Sequence, residues 1–387
     1  MQEVYIVAIG QIPVAKKSPL SIKKMAIEAL KPAFEQVDPQ QITALYVGNM
    51  LSAQIAQQQQ LGALIANCSG LHGVEALTIE TACSSGAAAL HQGVMAIASG
   101  MHDCVAVCGV EKMHNENISE PVSKFLAYAS DWEKEGATGE TFVSLNALLM
   151  RNYLERYRIP RTLFGSFPLI AHHNAMMNPF ALFHKAVTPP IYEASEMICD
   201  PLRLYDICPV CDGAAALILG SKAFLESRIH QTPLVRIRAS SIATDFVGLH
   251  AREMLYHLKS VALSTGRALT QAKMGLQDID LFELHDAYSI TSALSLESAG
   301  FAKPGEALMM AADGEFGLQG KLPIATFGGL KARGHPIGAS GVYQAVEMTL
   351  QLTQQAQQNQ VPGVSVGMIQ GIGGCGSVTV THILEAV

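Results

Sequence analysis

Three residues in this sequence pair a reactive side chain with a neighbourhood suited to exposing it. Cys83 lies in Thr81-Ala82-Cys83-Ser84-Ser85-Gly86, after the apolar run Ala76-Leu77-Thr78-Ile79 and before a stretch of Ser, Gly and Ala reaching Ala98. The pattern predicts a strand, a turn and the mouth of a helix. A thiol at such a mouth faces unpaired N–H groups and the positive end of the helix dipole, which lowers its pKa. Small neighbours leave room for a substrate. Free cysteines more often act as small buried hydrophobes, and that reading is kept for Cys68, Cys104, Cys108 and Cys199.

His335 sits in Gly328-Gly329-Leu330-Lys331-Ala332-Arg333-Gly334-His335-Pro336-Ile337-Gly338-Ala339-Ser340-Gly341. Glycines permit close backbone approach, and Pro336 suits the first turn of a helix. An imidazole held there can take a proton from a thiol and then donate a hydrogen bond to an oxyanion. A helix-capping histidine is the plainer alternative, and the glycine-rich frame argues against it. His285 follows the β-rich run 278–284 and opens His285-Asp286-Ala287-Tyr288. Strand C-terminal ends are where α/β proteins place their sites. Asp286 is expected to cap the next helix, or else to orient the ring.

The elements that must position these residues occur twice. The strand-like run 4–9 is matched by 234–242, and 41–47 by 278–284. Thr81 to Gly86 opens one helical stretch of small residues, and Arg333 to Gly338 opens another. The runs 104–109 and 364–368 close the two series. Two α/β halves packed face to face would bring the two helix mouths together, with Cys83 on one and His335 on the other. Between the halves, from about Asn115 to Leu204, the chain reads as an irregular inserted cap, because connections this long are usually functional. Met176, Met177, Phe180 and Phe183 within it read as core. The polar segment 354–360 reads as a solvated loop.

Composition bounds the rest. The chain has 387 residues, 49% hydrophobic and 15% charged, with 33 glycines and a formal net charge of −7. That suits a well-buried α/β enzyme and lacks the basic surplus of a nucleic-acid binder. The first residues, MQEVYIVAIG, lack the basic start of a signal peptide, and no apolar run approaches the length of a membrane span. The expectation is a soluble cytoplasmic protein. Eight cysteines without a secretory signal favour reduced thiols. Cys208 and Cys211 have C-x-x-C spacing, open to a zinc or redox site, but a zinc site would need a second ligand pair and none stands out.

Taken together, Thr81 to Gly86, Gly334-His335-Pro336 and His285-Asp286-Ala287-Tyr288 resemble the thiolase superfamily. Asn178-Pro179, Asp200-Pro201-Leu202-Arg203 and Asp212-Gly213-Ala214-Ala215-Ala216 follow in family order. The His-Asp form is similar to archaeal acetyl-CoA acetyltransferases and sterol-carrier-protein-type thiolases. The resemblance implies two βαβαβαββ halves in a five-layer α-β-α-β-α fold: residues 1–117 with 206–230, an inserted loop domain at 118–205, and residues 231–387. It implies that Cys83 is the acylated nucleophile, that His335 activates it, and that His285 serves the same oxyanion hole. The Cys83 N–H would serve a second oxyanion hole. Many relatives carry a second cysteine in a Cys-x-Gly loop, or in His-Asp-Cys-Phe. Here Gly371 and Ala287 hold those positions, and Cys375 lies four residues beyond Gly371; Cys375, or failing it His285, would move the substrate proton. The substrates implied are acyl-CoA and CoA, with no metal or other cofactor, in a homodimer or homotetramer. A small zinc-ribbon/OB-fold partner is the mark of an alternative, an acyl-loading subunit whose acceptor is not a CoA ester. A non-catalytic CoA- or lipid-binding scaffold is the other alternative.

Overall fold

The computed structural model describes residues 2–227 and 235–387. Leu234, expected to start a strand, and the boundary expected at 230/231 lie outside the described residues. The first half runs β1 (Val4–Gln11), α1 (Ile22–Phe34), β2 (Ala44–Gly48), α2 (Leu61–Cys68), β3 (Glu75–Ile79), α3 (Ser85–Ala98) and β4 (Cys104–Glu111). It closes with β7 (Gly213–Ser221) and the short α8 (Lys222–Glu226). The second half runs β8 (Val235–Thr244), α9 (Lys259–Ala272), β9 (Leu281–Glu283), α10 (Ser289–Ala299), α11 (Ala307–Ala312), α12 (Ser340–Leu352), β10 (Val366–Gly373) and β11 (Val378–Ala386).

Local sequence explains these elements. In α1, Ile22, Met25, Ala26, Ala29, Leu30 and Ala33 are buried, the spacing of one helical face, and Ser21 accepts the Lys24 N–H at its start. In β4 and β7 every residue is buried, as central strands covered on both faces require.

The strand order is β3-β2-β4-β7-β1-β8-β11-β10-β9. Each half contributes parallel strands first and an antiparallel strand last, and the two halves run in opposite order along the sheet about a pseudo-twofold axis. The fifth strand of the second half is reduced to a single bridge between Phe282 and Ile324. The two half-sheets meet edge to edge through Val4, Tyr5 and Ile6 of β1, opposite Ile237, Arg236 and Val235 of β8. Face-to-face packing holds as well. Helices α3 and α12 lie against each other, and each touches strands of both halves.

That central contact depends on glycine. A Cβ on Gly86 would lie 2.7 Å from the Gly338 carbonyl oxygen, and one on Gly341 would lie 2.3 Å from the Ala87 backbone nitrogen. Backbone meets backbone there, with no flexible atom to give way.

The segment between β4 and β7 is more ordered than the sequence reading anticipated. It holds α4 (Val122–Leu126), α5 (Phe142–Tyr157), α6 (Ser166–Ala175) and α7 (Pro189–Glu193), with a small hairpin of β5 (Met197–Cys199) and β6 (Leu202–Arg203). The Thr141–Ser144 capping box that starts α5 uses Ser in place of Glu or Gln. Phe167 and Phe164 fill the core here, whereas Met176 and Phe183 are exposed. The segment 354–360 is also less solvated than expected. Asn359 is buried and donates to the carbonyls of Asn174 and Thr326 at 2.8 and 2.7 Å.

Replacing Gly341 with Ala is expected to destabilise the protein by about 1–3 kcal/mol through overpacking. Gly266→Ala, in α9 with nothing within 4 Å of the added Cβ, is expected to stabilise by about 0.4–1 kcal/mol. Urea-unfolding midpoints of the two variants check the contrast.

Candidate active site

Cys83 occupies the turn between β3 and α3. Its neighbour Ala82 has φ +51°, a left-handed conformation uncommon for a residue with a Cβ. Three side chains hold that turn. Ser84 Oγ donates to the Thr81 carbonyl at 2.7 Å, Ser85 Oγ donates to the Ala82 carbonyl at 2.6 Å, and the Glu80 carboxylate accepts the Ala82 N–H at 2.6 Å. The helix begins two residues after the cysteine. The sulfur is half-buried against Leu51, Ile55, Met113 and Ile337.

His335 is held by the residues before and after it. Helix α12 starts at Ser340, later than expected, and Pro336 precedes a short 3-10 turn at Ile337–Ala339. Upstream, residues Gly329–Arg333 form one wide π turn. The Lys331 amine donates to the Asp206 carbonyl at 2.7 Å, and the Arg333 guanidinium meets Glu347 of α12 at 3.0 Å and lies 4.8 Å over the Tyr343 ring. The His335 N–H donates to the Cys211 sulfur at 3.1 Å. Across the gap, Glu111 accepts the Gly338 N–H together with those of Met50 and Leu51.

His285 follows β9. The Gln344 amide of α12 donates to the carbonyls of Glu283 and Leu284 at 3.1 and 2.9 Å, which fixes that strand end. Asp286 neither caps α10 nor orients a ring. Its carboxylate accepts the N–H groups of Leu330 and Lys331 at 2.6 and 3.4 Å. The two histidine loops are thereby stapled together.

The donor atoms of Cys83, His285 and His335 lie within 4.8 Å of one another. The two imidazoles cross edge to face, 5.2 Å apart at 86°. Residues separated by 252 positions therefore meet. Ser340 Oγ lies 2.7 Å from His335 Nδ1 and 3.1 Å from the Pro336 carbonyl, which can only accept; with the hydroxyl proton on that carbonyl, Ser340 accepts from Nδ1. The network assigns the ring proton to Nδ1 and leaves Nε2 as a bare lone pair. That Nε2 is buried and has no partner.

Burial outweighs the helix mouth in the electrostatics. It pushes the Cys83 thiol up from its ordinary value, and nearby Cys208, Cys375, Glu111 and Glu80 push in the same direction. It holds His285 down at about 3 and His335 well below the usual imidazole range. The resting pair is a neutral thiol beside a neutral imidazole, not a preformed ion pair.

Cys375 does not join the three-residue group. It is buried, its sulfur accepts from the Asn146 amide at 3.7 Å, and its carbonyl accepts from Arg252 at 2.7 Å. The position of the relatives' second cysteine is closed for a steric reason. A Cβ on Gly371 would stand 2.9 Å from Ala87 Cβ and 3.4 Å from Ser84 Cβ. Cys208 and Cys211 belong to no metal-holding group among the described residues; Cys83, His285 and His335 form the one such group there. Cys104 and Cys108 are buried as expected, Cys199 only half so, and Cys68 is exposed. Sequence reasoning missed Ser340, Glu111 and Cys211. The i,i+5 spacing of His335 and Ser340 was the only signal for the first.

The sequence profile of the thiolase N-terminal domain matches residues 4–223, and that of the thiolase C-terminal domain-like family matches residues 242–386. The acetyl-CoA acetyltransferase of Methanothermobacter thermautotrophicus is 38% identical over 387 residues, covering 100% of both chains. Sterol carrier protein 2 of Oryctolagus cuniculus is 31% identical over 325 residues, 81% of this chain and 59% of that one. The solved Ltp2-ChsH2(DUF35) aldolase superposes with a TM-score of 0.86 at 21% identity, covering 99% of this chain and 98% of that one. The chain belongs to the thiolase family and is an acyltransferase of that type. Within the family it falls on the branch of archaeal acetyltransferases and sterol carrier protein 2.

A neutral thiol has a definite kinetic signature. Alkylation of Cys83 by iodoacetamide is expected to climb about tenfold per pH unit between about pH 6 and 9, without a plateau. A preformed thiolate would give a flat profile. Ser340→Ala, which frees the ring to change tautomer, is expected to slow acylation of Cys83 by about 10- to 100-fold. Rapid-quench mass spectrometry measures that rate.

Proposed function

We propose that the chain takes an acyl group from acyl-CoA onto Cys83 and joins it to the α-carbon of a second acyl-CoA. Acetyl-CoA giving acetoacetyl-CoA is the simplest case, and thiolysis of a 3-oxoacyl-CoA is the reverse. The observation that carries this reading is the convergence of Cys83, His285 and His335 with an unpartnered lone pair on His335 Nε2. The acetyl-CoA acetyltransferase that is 38% identical over its full length adds support.

In the first half-reaction, Nε2 takes the Cys83 proton as the sulfur attacks the thioester carbonyl. The carbon–sulfur bond to CoA then breaks. In the second, a proton leaves the α-carbon of the next acyl-CoA, and the resulting enolate attacks the Cys83 thioester. His285 and the protonated His335 face the oxygen on which charge develops. A dry pocket makes such hydrogen bonds count. The reaction as proposed uses no metal ion and no organic cofactor.

A second reading has one observation behind it. The Ltp2-ChsH2(DUF35) aldolase, whose fold this chain shares, is named for two components. By analogy this chain would load the acyl group and need a partner to deliver it. Purified chain that cleaves acetoacetyl-CoA with CoA on its own would exclude that reading.

Incubation with acetyl-CoA is expected to add one acetyl group by intact mass. Cys83→Ala is expected to abolish the adduct, and His335→Ala to slow its formation by about 100- to 10,000-fold. A wild-type protein that never acquires the adduct would sink the proposal.

A further inference from the structure

The reaction proposed above needs a group to take the α-proton, a step expected of Cys375 or, failing it, His285; His285 is spent on the oxygen where charge develops. His335 Nε2 serves Cys83. Asp286 is occupied by two backbone N–H groups, and Lys331 by the Asp206 carbonyl. Cys375 is turned into the hydrophobic core beside Asn146.

Cys208 is placed differently. Its N–H donates to the Ala287 carbonyl at 2.8 Å, and Ile207 before it bridges Tyr288, so this segment lies along the His285 loop. Three residues on, Cys211 receives the His335 N–H. The C-x-x-C run therefore borders both histidine loops. Cys208 also lines a cavity of about 510 Å³ with Phe183, Val187, Ile198, Tyr205 and Lys331, which adjoins the site through the His335 loop's Lys331 and does not count Cys83, His285 or His335 in its lining; its size is usual for a small-molecule site. A thiolate on Cys208 would raise the thiol of Cys83 more than one on Cys375 would, and would likewise raise Tyr288. Burial raises the Cys208 thiol itself to about 12, while the Lys331 ammonium favours the thiolate.

We propose that Cys208 is a second catalytic thiol, which protonates the departing CoA sulfur and then removes the α-proton of the incoming acyl thioester. The inference rests on the acyl-transfer reading and adds a residue to it. The protons balance. Cys83 gives its proton to His335, and the Cys208 thiol gives its own to CoA as the carbon–sulfur bond breaks. This leaves an imidazolium and a Cys208 thiolate. The thiolate takes the α-proton, and the C–H electron pair becomes the enolate. The enolate forms the carbon–carbon bond and expels the Cys83 thiolate, which recovers its proton from His335. Both thiols and the neutral imidazole are restored.

The test separates leaving groups. A para-nitrothiophenyl acetate thioester expels an anion that needs no proton, whereas acetyl-CoA needs one. In full-length protein, Cys208→Ala is expected to load Cys83 from the aryl thioester within about threefold of wild type, but about 100-fold or more slowly from acetyl-CoA. It should also lose exchange of acetyl-CoA methyl protons with deuterium oxide, while Cys375→Ala retains it. Cys208→Ser, with a weaker acid in the same volume, should show the same split. Exchange near the wild-type rate in Cys208→Ala, or its loss in Cys375→Ala, would overturn the assignment. So would equal slowing with both donors in both Cys208 variants, which marks a structural role. Wild-type protein that loads from neither donor would instead refute the underlying acyl-transfer reading.

Discussion

Two stretches of backbone touch at the centre of this protein, and the chemistry hangs on that touch. Helix α3 approaches α12 and the 3-10 turn before it so closely at Gly86 and Gly341 that no side chain fits between them. Their mouths then open into one space. Cys83 comes from one mouth and His335 from the other, and the gap between them is set by main chain. Main-chain packing is stiffer than side-chain packing, which suits a site whose geometry must hold within fractions of an ångström.

Around that contact the protein buries an unusual number of polar groups. Glu111, Glu283, Asp286, Lys331, Arg333 and Glu347 are all almost fully enclosed. Each is tied to backbone or to an opposite charge. Glu283 accepts the Thr326 N–H at 2.8 Å, and Arg333 pairs with Glu347. Such pairs contribute little net stability once desolvation is counted. What they fix is direction: each of the six sits beside or ties to the loops that carry His285 and His335, and Glu111 adds the loop after β2. The low-dielectric surroundings also set the resting protonation. Enclosure disfavours charge on both the thiol and the imidazole, so that charge develops as substrate reacts.

Much of this was legible in the sequence, and the reasons differ by element. The duplication was visible because strands that are buried on both faces, such as β4 and β7, leave unbroken apolar runs. The pairing of Cys83 with His335 followed from symmetry once the two helix mouths were matched. The helices of the inserted segment were not legible. The shortness of α4 and α7 and the mixed faces of α5 and α6 give weak periodicity, and their helical state comes from packing onto the core. The pKa of Cys83 was misjudged because a helix mouth can be read from residue types, whereas enclosure by distant segments cannot. Asp286 was assigned to the nearest helix in sequence, and its partners lie 44 and 45 residues away. The C-x-x-C pair was weighed only as a metal or redox motif. Its relation to the two histidine loops exists only in three dimensions.

The unequal ends of the long sheet have a further consequence. At one end β3 offers a partly exposed strand with an unpaired margin among the described residues, and Leu77 stands 44% exposed on it. At the other end β9 is sealed, because the Phe282 N–H already donates to the Pro323 carbonyl and Ile324 lies alongside. A ribbon that can be lengthened from one margin only cannot polymerise through its strands. Two copies joined along β3 would consume both open margins at once, and the assembly would stop at a closed, two-fold pair.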